Sequence, residues 1–269
     1  MAQIFAIANQ KGGVGKTTTS VNLAASLAAN KQRVLLIDLD PQGNATMGSG
    51  VNKNEIEYSI YDVLVGDMSC DEVKQDSYEE QYSVIPANGD LTAAEVELLS
   101  KDAKERRLSV ALEVVRSDYD FILIDCPPSL NMLTVNALAA CDAVIIPMQC
   151  EYYALEGLSA LINTINTIQT VLNPELRIEG ILRTMYDRRS SLTGDVSNQL
   201  KEHFEDKLYR TCIPRNVRLA EAPSYGMPVM SYDKQSKGAL AYLALATEVI
   251  RRNQDRIDEQ SKAANEEGA

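Results

Sequence analysis

The chain has 269 residues, 45% of them hydrophobic, and a formal net charge of −12. That is enough apolar material for a large core, while no apolar stretch approaches the ~20 residues that span a bilayer and the N-terminus lacks a signal-peptide layout. Five scattered cysteines without a Cys-x-x-Cys read as reduced and buried in a cytosolic protein, and a single histidine, His203, excludes a His-based triad or a His-rich metal site.

Apolar, β-prone runs alternate with helical patterns along the whole chain. A strand at 3–8 leads through a glycine-rich turn into a helix at 16–30. A strand at 33–37 and a helix at 58–65 follow, then a strand at 82–85 and helices at 91–99 and 104–117. Strands at 120–124 and 143–147 flank a helix at 130–140. The helix at 154–172 repeats Leu155, Leu158, Leu161, Ile162, Ile165, Ile168 and Leu172 at three and four residues, which marks one buried face. Strands at 178–184 and 208–213, with helices at 191–206 and 238–253, complete the pattern. Residues 254–269 are polar and charged and are expected to form a disordered tail after an ordered domain at 1–253.

Strands such as Val34–Ile37 and Phe121–Ile124 are apolar on successive residues, as strands covered on both faces are. The expected fold is therefore α/β: a single doubly wound, mostly parallel sheet with helices on both faces; the glycine-rich turn between its first strand and first helix makes it of the P-loop NTPase type. Its ligand site should lie at the carboxyl ends of the strands.

The turn after the first strand reads Gln10-Lys11-Gly12-Gly13-Val14-Gly15-Lys16-Thr17. Glycines let backbone N–H groups close around phosphate oxygens, and the helix opening near Lys16 adds its positive end. Lys16 is expected to reach the β- and γ-phosphates of ATP, and the Thr17 hydroxyl to take a place on Mg²⁺. One lysine suffices for this, so Lys11 is surplus and points to service in another active site. Asp125 ends one apolar strand; Asp38 and Asp40 end another and point to the same side if the chain there is extended. A carboxylate near the γ-phosphate can position water or accept its proton. The bland alternatives are a helix-capping aspartate at 125 and a solvated pair in an Asp-Pro turn.

The two-lysine loop resembles the deviant Walker A motif of the ParA/MinD superfamily. Val34–Asn44 resembles that superfamily's second motif, and Phe121–Ser129 its Walker B. Gln149–Gly157 and Ile213–Ser224 resemble the chromosomal ParA branch, the Soj type. The resemblance implies a chromosome-partitioning ATPase whose ATP-bound sandwich dimer binds double-stranded DNA without sequence preference. A ParB-type partner would stimulate hydrolysis, and the protein would be cytoplasmic and nucleoid-associated, with no membrane role.

By the same resemblance, residues Lys11, Gly12, Gly13, Val14, Gly15, Lys16, Thr17 and Thr18 contact the nucleotide. Lys11 would cross the dimer interface as an arginine-finger analogue, and Gly12 would sit where any side chain blocks the partner. Asp40 would orient the attacking water, Asp38 would belong to the Mg²⁺ and switch network with Thr17 and Asp125, and Gly43, Asn44 and a flexible segment after them would sense the γ-phosphate. Adenine contacts are implied at Pro214 and Asn216, although residue chemistry alone gives no reason to prefer these over Met185 or Tyr186.

Arg183, Arg188, Arg189, Arg215 and Arg218 are the candidates for DNA, with Arg189 and Arg218 matching the family's positions best. Arginine suits phosphate because its guanidinium forms a bidentate fork, though these arginines could equally pair with Asp187 and Glu221. The acidic net charge opposes DNA binding, but it is unevenly spread: residues 51–113 carry 15 acidic against 6 basic residues, and 183–218 carry 8 basic against 5 acidic. Three rival readings stay open: a MinD-like division-site regulator, opposed by a tail without basic and apolar faces, a P-loop metabolic synthetase or kinase, and an iron–sulphur reductase, which needs an exposed cysteine pair.

Overall fold

The computed structural model describes residues 1–152 and 154–267; Tyr153 of the Gln149–Gly157 motif, and Gly268 and Ala269 of the expected tail, lie outside the described residues. Its strands are β1 (Gln3–Ile7), β2 (Val34–Asp38), β3 (Gln75–Asp76), β4 (Ser83–Ile85), β5 (Phe121–Asp125), β6 (Ala143–Gln149), β7 (Arg177–Tyr186) and β8 (Leu208–Pro214). Its helices are α1 (Lys16–Ala29), α2 (Asn44–Gly48), α3 (Ile60–Leu64), α4 (Cys70–Val73), α5 (Leu91–Glu97), α6 (Arg107–Val115), α7 (Met132–Ala140), α8 (Ala154–Val171), α9 (Ser191–Phe204), α10 (Val217–Glu221), α11 (Val229–Tyr232) and α12 (Lys237–Glu267).

All strands join one sheet in the order β3-β4-β2-β5-β1-β6-β7-β8. Every pairing is parallel except the short β3, which runs antiparallel to β4. The uninterrupted apolar strands feed two cores, because successive side chains leave a strand on opposite faces. Ile4, Ala6, Leu35, Ile37, Ile122 and Ile124 pack with α3 to α9 on one face. Phe5, Ile7, Val34, Leu36, Phe121 and Leu123 pack with α1 and α12 on the other. In α8 the face named from the sequence is the one that packs inward: Leu158, Leu161, Ile165 and Ile168 are buried.

Three features depart from the expectations. The two-residue β3 carries too little apolar pattern to announce itself. The segment after Gly43 is not flexible chain but the short helix α2. Residues 254–267, the described part of the expected tail, are placed as a continuation of α12. The helix is already nucleated upstream, where Arg252 bonds the Glu179 and Leu208 carbonyls and Arg256 pairs with Glu179 at 2.8 Å. Extending an existing helix costs far less than starting one, and Gln254 adds a bond to Asp258 one turn on, at 2.8 Å. Among the described residues, no helix is long and apolar enough to cross a membrane. All five cysteines are free, with Cys70, Cys126, Cys141 and Cys150 buried and Cys212 half-buried.

Candidate nucleotide-binding site

The sheet order puts β1 at the centre, so the loop from Asn9 to Gly15 emerges between β5 and β6. Gly13 and Gly15 have φ of 73° and 87°, in the left-handed region where a Cβ is penalised. The loop is held from outside: Thr184 Oγ1 donates to the Val14 carbonyl at 2.7 Å, and Gln149 Nε2 to the Gly13 carbonyl at 2.9 Å. Asn9 braces its start, accepting from the Lys11 N–H at 2.9 Å and donating to the Pro147 carbonyl at 2.8 Å. With its carbonyls occupied by protein donors, the turn is suited to present N–H groups to an anion.

Lys16 is buried at the start of α1, with Nζ 3.3 Å from the Lys11 carbonyl. Burial lowers its pKa from the ordinary lysine value, and the nearby charges of Asp125 and Asp40 act in the opposite sense. A cavity of about 270 Å³ opens over this loop, lined among others by Gly12, Lys16, Thr17, Asp40, Asn44 and Pro128. A Cβ built on Gly12 would meet nothing within 4 Å. Packing within the protomer therefore places no demand for glycine there.

Beneath the cavity, strand register makes Asp38 and Asp125 direct neighbours on β2 and β5. Both are fully buried. Asp125 accepts from Thr17 Oγ1 at 2.8 Å and Ser20 Oγ at 2.7 Å. Asp38 accepts from the N–H and the hydroxyl of Thr46, both at 2.7 Å. Burial first, and the neighbouring carboxylate second, push Asp125 up to about 7; burial pushes Asp38 up to about 6 against the Thr46 bonds that favour its ionised form. Two buried carboxylates and a hydroxyl are hard oxygen donors, and their reluctance to ionise side by side is what a bound divalent cation offsets. The residues present thus fit Mg²⁺.

Asp40 is half-buried just beyond β2, its N–H on Asp38 at 3.2 Å and one oxygen accepting from the Gln42 N–H at 2.9 Å. Gly43, at φ 62°, passes so close to the Ala87 carbonyl that a Cβ would lie 2.7 Å from its oxygen. Thr46 then closes the turn by tying α2 to Asp38 and accepting from the Ala87 N–H at 2.9 Å.

A second cavity, of about 280 Å³, shares Gly15, Thr18 and Met185 with the first and extends between β8, α10 and α12. Pro214, Asn216 and Met185 all line it, together with Leu219 and Tyr242, whereas Tyr186 does not. Asn216 also caps α10 by accepting from the Leu219 N–H at 3.3 Å. Met185 has a φ of 47°, a strained conformation for a non-glycine residue at the junction of the two cavities.

Lys11 bonds Glu151 at 2.6 Å, with both side chains about half exposed. Of the arginines considered for DNA, Arg183 is ruled out: it lies inside β7, buried, bonding Ser197 Oγ and the Tyr209 carbonyl, each at 2.8 Å. The strand runs to Tyr186, so position 183 points into the molecule rather than into a loop. Arg188, Arg189, Arg215 and Arg218 are exposed, around the adjacent ends of β7 and β8 where Tyr186 pairs with Pro214. Arg189 pairs with Asp187 at 3.0 Å, and Arg218 with Glu221 at 2.8 Å and Asp233 at 3.2 Å.

Sequence reasoning passed over Ser20, Thr46, Thr184 and Glu151. Ser20 had a signal, since it stands one turn after Lys16 on the helix face that meets Asp125. Thr46 had none, because its place depends on the turn at Gly43.

A central-strand phosphate loop above two paired strand-end carboxylates defines a P-loop nucleotide hydrolase. A family model described as an AAA domain matches residues 2–178. The sporulation initiation inhibitor protein Soj of Bacillus subtilis is 55% identical over 249 residues, covering 93% of this chain and 98% of its own. The chromosome partitioning protein ParA of Caulobacter vibrioides is 51% identical, covering 97% and 98%. The chain belongs to the ParA/Soj family of chromosome-partitioning ATPases. Among solved structures, cobyrinic acid a,c-diamide synthase from Mycobacterium smegmatis with bound ATP analogue and magnesium superposes with a TM-score of 0.83 at 37% identity, covering 94% of this chain and 96% of that one. The cell division ATPase MinD of Pyrococcus furiosus gives 0.77 at 25%, covering 93% and 99%.

Proposed function

We propose that the protein is an ATP-driven partitioning switch: ATP closes a sandwich homodimer, the dimer binds double-stranded DNA without sequence preference, and hydrolysis stimulated by a ParB-type partner releases it. The observation that carries this is the convergence of Lys16, Thr17 and Asp40 on one cavity above the Asp38–Asp125 pair. Lys16 neutralises the β/γ-phosphates, and the loop from Lys11 to Thr18 cradles them. Thr17, Asp125 and Asp38 are the residues that would hold Mg²⁺, which would supply positive charge against that developing on the phosphates. Asp40, beside Lys16 and not bonded to a cation, orients the attacking water and takes its proton. Lys11 leaves Glu151 to reach the nucleotide of the second protomer, and Pro214 and Asn216 flank the adenine.

Arg189 and Arg218 contact DNA phosphates at the exposed ends of β7 and β8. Such contacts carry no sequence information and depend steeply on salt. An iron–sulphur role is disfavoured by the burial of Cys126, Cys141 and Cys150. ATP turnover measured alone, with DNA, and with DNA and a cognate ParB tests the reading. Stimulation by the two together is expected. Turnover that ignores both and responds to a small carboxylic acid or amide donor would instead support a metabolic synthetase.

A further inference from the structure

The exposed arginines at the ends of β7 and β8 are interleaved with carboxylates in a repeated manner. Asp187 takes the Arg189 guanidinium through both oxygens, at 3.0 Å each, and also accepts from the Arg189 N–H. That bonding, with the charge of Arg215 acting in the same sense, holds the Asp187 carboxyl down at about 2. Arg218 is held from two sides, by Glu221 on Nη1 and by Asp233 on Nε. Glu221 is itself fixed, accepting from the Tyr232 hydroxyl at 3.2 Å, and the Tyr232 ring stacks on Tyr225 with centroids 5.0 Å apart. Glu221 and Asp233, which also accepts from the Gln235 N–H at 3.3 Å, are therefore positioned by contacts of their own. Moreover, Arg189 keeps a side-chain exposure of 90% while both ends of its fork are occupied.

We propose that Asp187, Glu221 and Asp233 are built-in competitors for DNA phosphate, occupying the guanidinium donors of Arg189 and Arg218 that a phosphate would use and so setting the threshold for DNA binding. The proposal rests on the reading of Arg189 and Arg218 as DNA contacts. A guanidinium binds carboxylate and phosphate through the same fork, so a phosphate enters only by displacing the acid, which then stays nearby and repels it. Four exposed arginines against three carboxylates leave one protomer with a small surplus of positive charge. Two such patches on one duplex act as linked sites, whose combined affinity far exceeds that of either. The competitors thus make binding depend on the dimer rather than on either protomer.

The test compares three variants of the full chain for binding to two unrelated duplexes, with ATP and with ADP, at several salt concentrations. Asp187→Asn/Glu221→Gln/Asp233→Asn should bind both duplexes about tenfold more tightly at low salt, with measurable binding in ADP, and the gain should shrink as salt screens exposed charge. Asp76→Asn/Asp102→Asn/Glu113→Gln removes the same charge from exposed positions in the acidic segment and should gain little. An equal gain there would reduce the effect to net charge and overturn the proposal. Arg189→Glu/Arg218→Glu separates the two readings. If it leaves affinity unchanged, the DNA surface itself is misplaced. If it abolishes binding while the first variant gains nothing, the surface stands and the competition is refuted. Asp187→Asn and Glu221→Gln, measured singly at parental Tm, decide the matter in the same way should the triple variant fold poorly.

Discussion

The phosphate cradle and the arginine patch share the carboxyl edge of one sheet, yet opposite physics holds them. In the cradle, Asp38 and Asp125 are fully buried, and each accepts two hydrogen bonds at 2.7–2.8 Å. Removing one partner there leaves a buried group unsatisfied, which is costly. In the patch, exposed ion pairs exchange with water and are individually weak. Single substitutions in the cradle should therefore act strongly and independently of salt, whereas those in the patch should act modestly and through salt.

The largest effect should come from Lys16→Ala. Losing two charge-assisted hydrogen bonds to phosphate should weaken ATP binding on the order of 1,000-fold, read by calorimetry. Retained affinity would remove the cradle from the comparison altogether. Next, Asp40→Ala should keep ATP and Mg²⁺ bound but slow hydrolysis by about 100-fold, trapping an ATP-bound dimer visible by light scattering. Parental turnover would show that Asp40 is only a turn residue.

Lys11→Ala and Gly12→Val test whether the mouth of the cradle belongs to a second protomer. Because a Cβ at Gly12 meets nothing within its own chain, Gly12→Val should keep the parental Tm and ATP affinity yet stay monomeric with ATP. Lys11→Ala should likewise bind ATP but fail to hydrolyse it or to dimerise stably. Normal dimerisation of either variant would make the two glycine and lysine positions ordinary surface.

On the patch side, Arg189→Glu should flatten the salt dependence of DNA binding by roughly one unit of log K per log salt for each phosphate no longer neutralised, or about two units per dimer. ATP-dependent dimerisation should survive, as measured by sedimentation. A salt-independent loss would mean the patch behaves like the cradle.

The smallest effect concerns pH. Asp125 and Asp38 are pushed up to about 7 and about 6, so the folded chain binds more protons than the unfolded one between the ordinary carboxylate range and pH 7. Stability of the nucleotide-free protein should therefore fall as pH rises from about 4 to about 7 through this pair. Asp125→Asn should blunt that fall and raise Tm by a few degrees above pH 7. Mg²⁺ with ATP should stabilise the parent more at pH 8 than at pH 6, since the ion favours the ionised pair. The same pH dependence of Tm in the nucleotide-free parent and in Asp125→Asn would contradict the raised values.

The contrast between the regions also decides what could be read from sequence. The loop at Gly12–Gly15, Lys16, Thr17 and the strand-end aspartates were legible because strand, glycines and helix are contiguous and each residue type has few alternative uses. The strands expected at 33–37 and 120–124, which run one residue later as β2 and β5, were legible because double burial leaves an uninterrupted apolar run. Arg183 was misjudged because its neighbours in sequence, Arg188 and Arg189, lie past the end of β7, and nothing local marks where a strand stops. The fold of α2 was hidden for a different reason: it depends on a bond between Thr46 and Asp38, and on the Gly43 turn against Ala87, both contacts made only in three dimensions. The ion pairs of Arg189 and Arg218 lay between: Asp187 and Glu221 stand two and three residues from their arginines, but Asp233 reaches Arg218 only through the fold, and sequence does not say which pairs form.

Helix α12 ties the ligand edge of the sheet to its far edge. Tyr242, near its start, lines the second cavity and bonds Thr19 at 3.1 Å, while Arg252 and Arg256 fasten later turns to Glu179 and Gln3 at the opposite rim. The helix is thus a strut through the whole depth of the molecule. A fluorophore or surface tether attached beside Arg256, where the helix is fastened to β1 and β7, would sit at the rim opposite the phosphate loop, which makes that turn the natural handle for watching single protomers assemble.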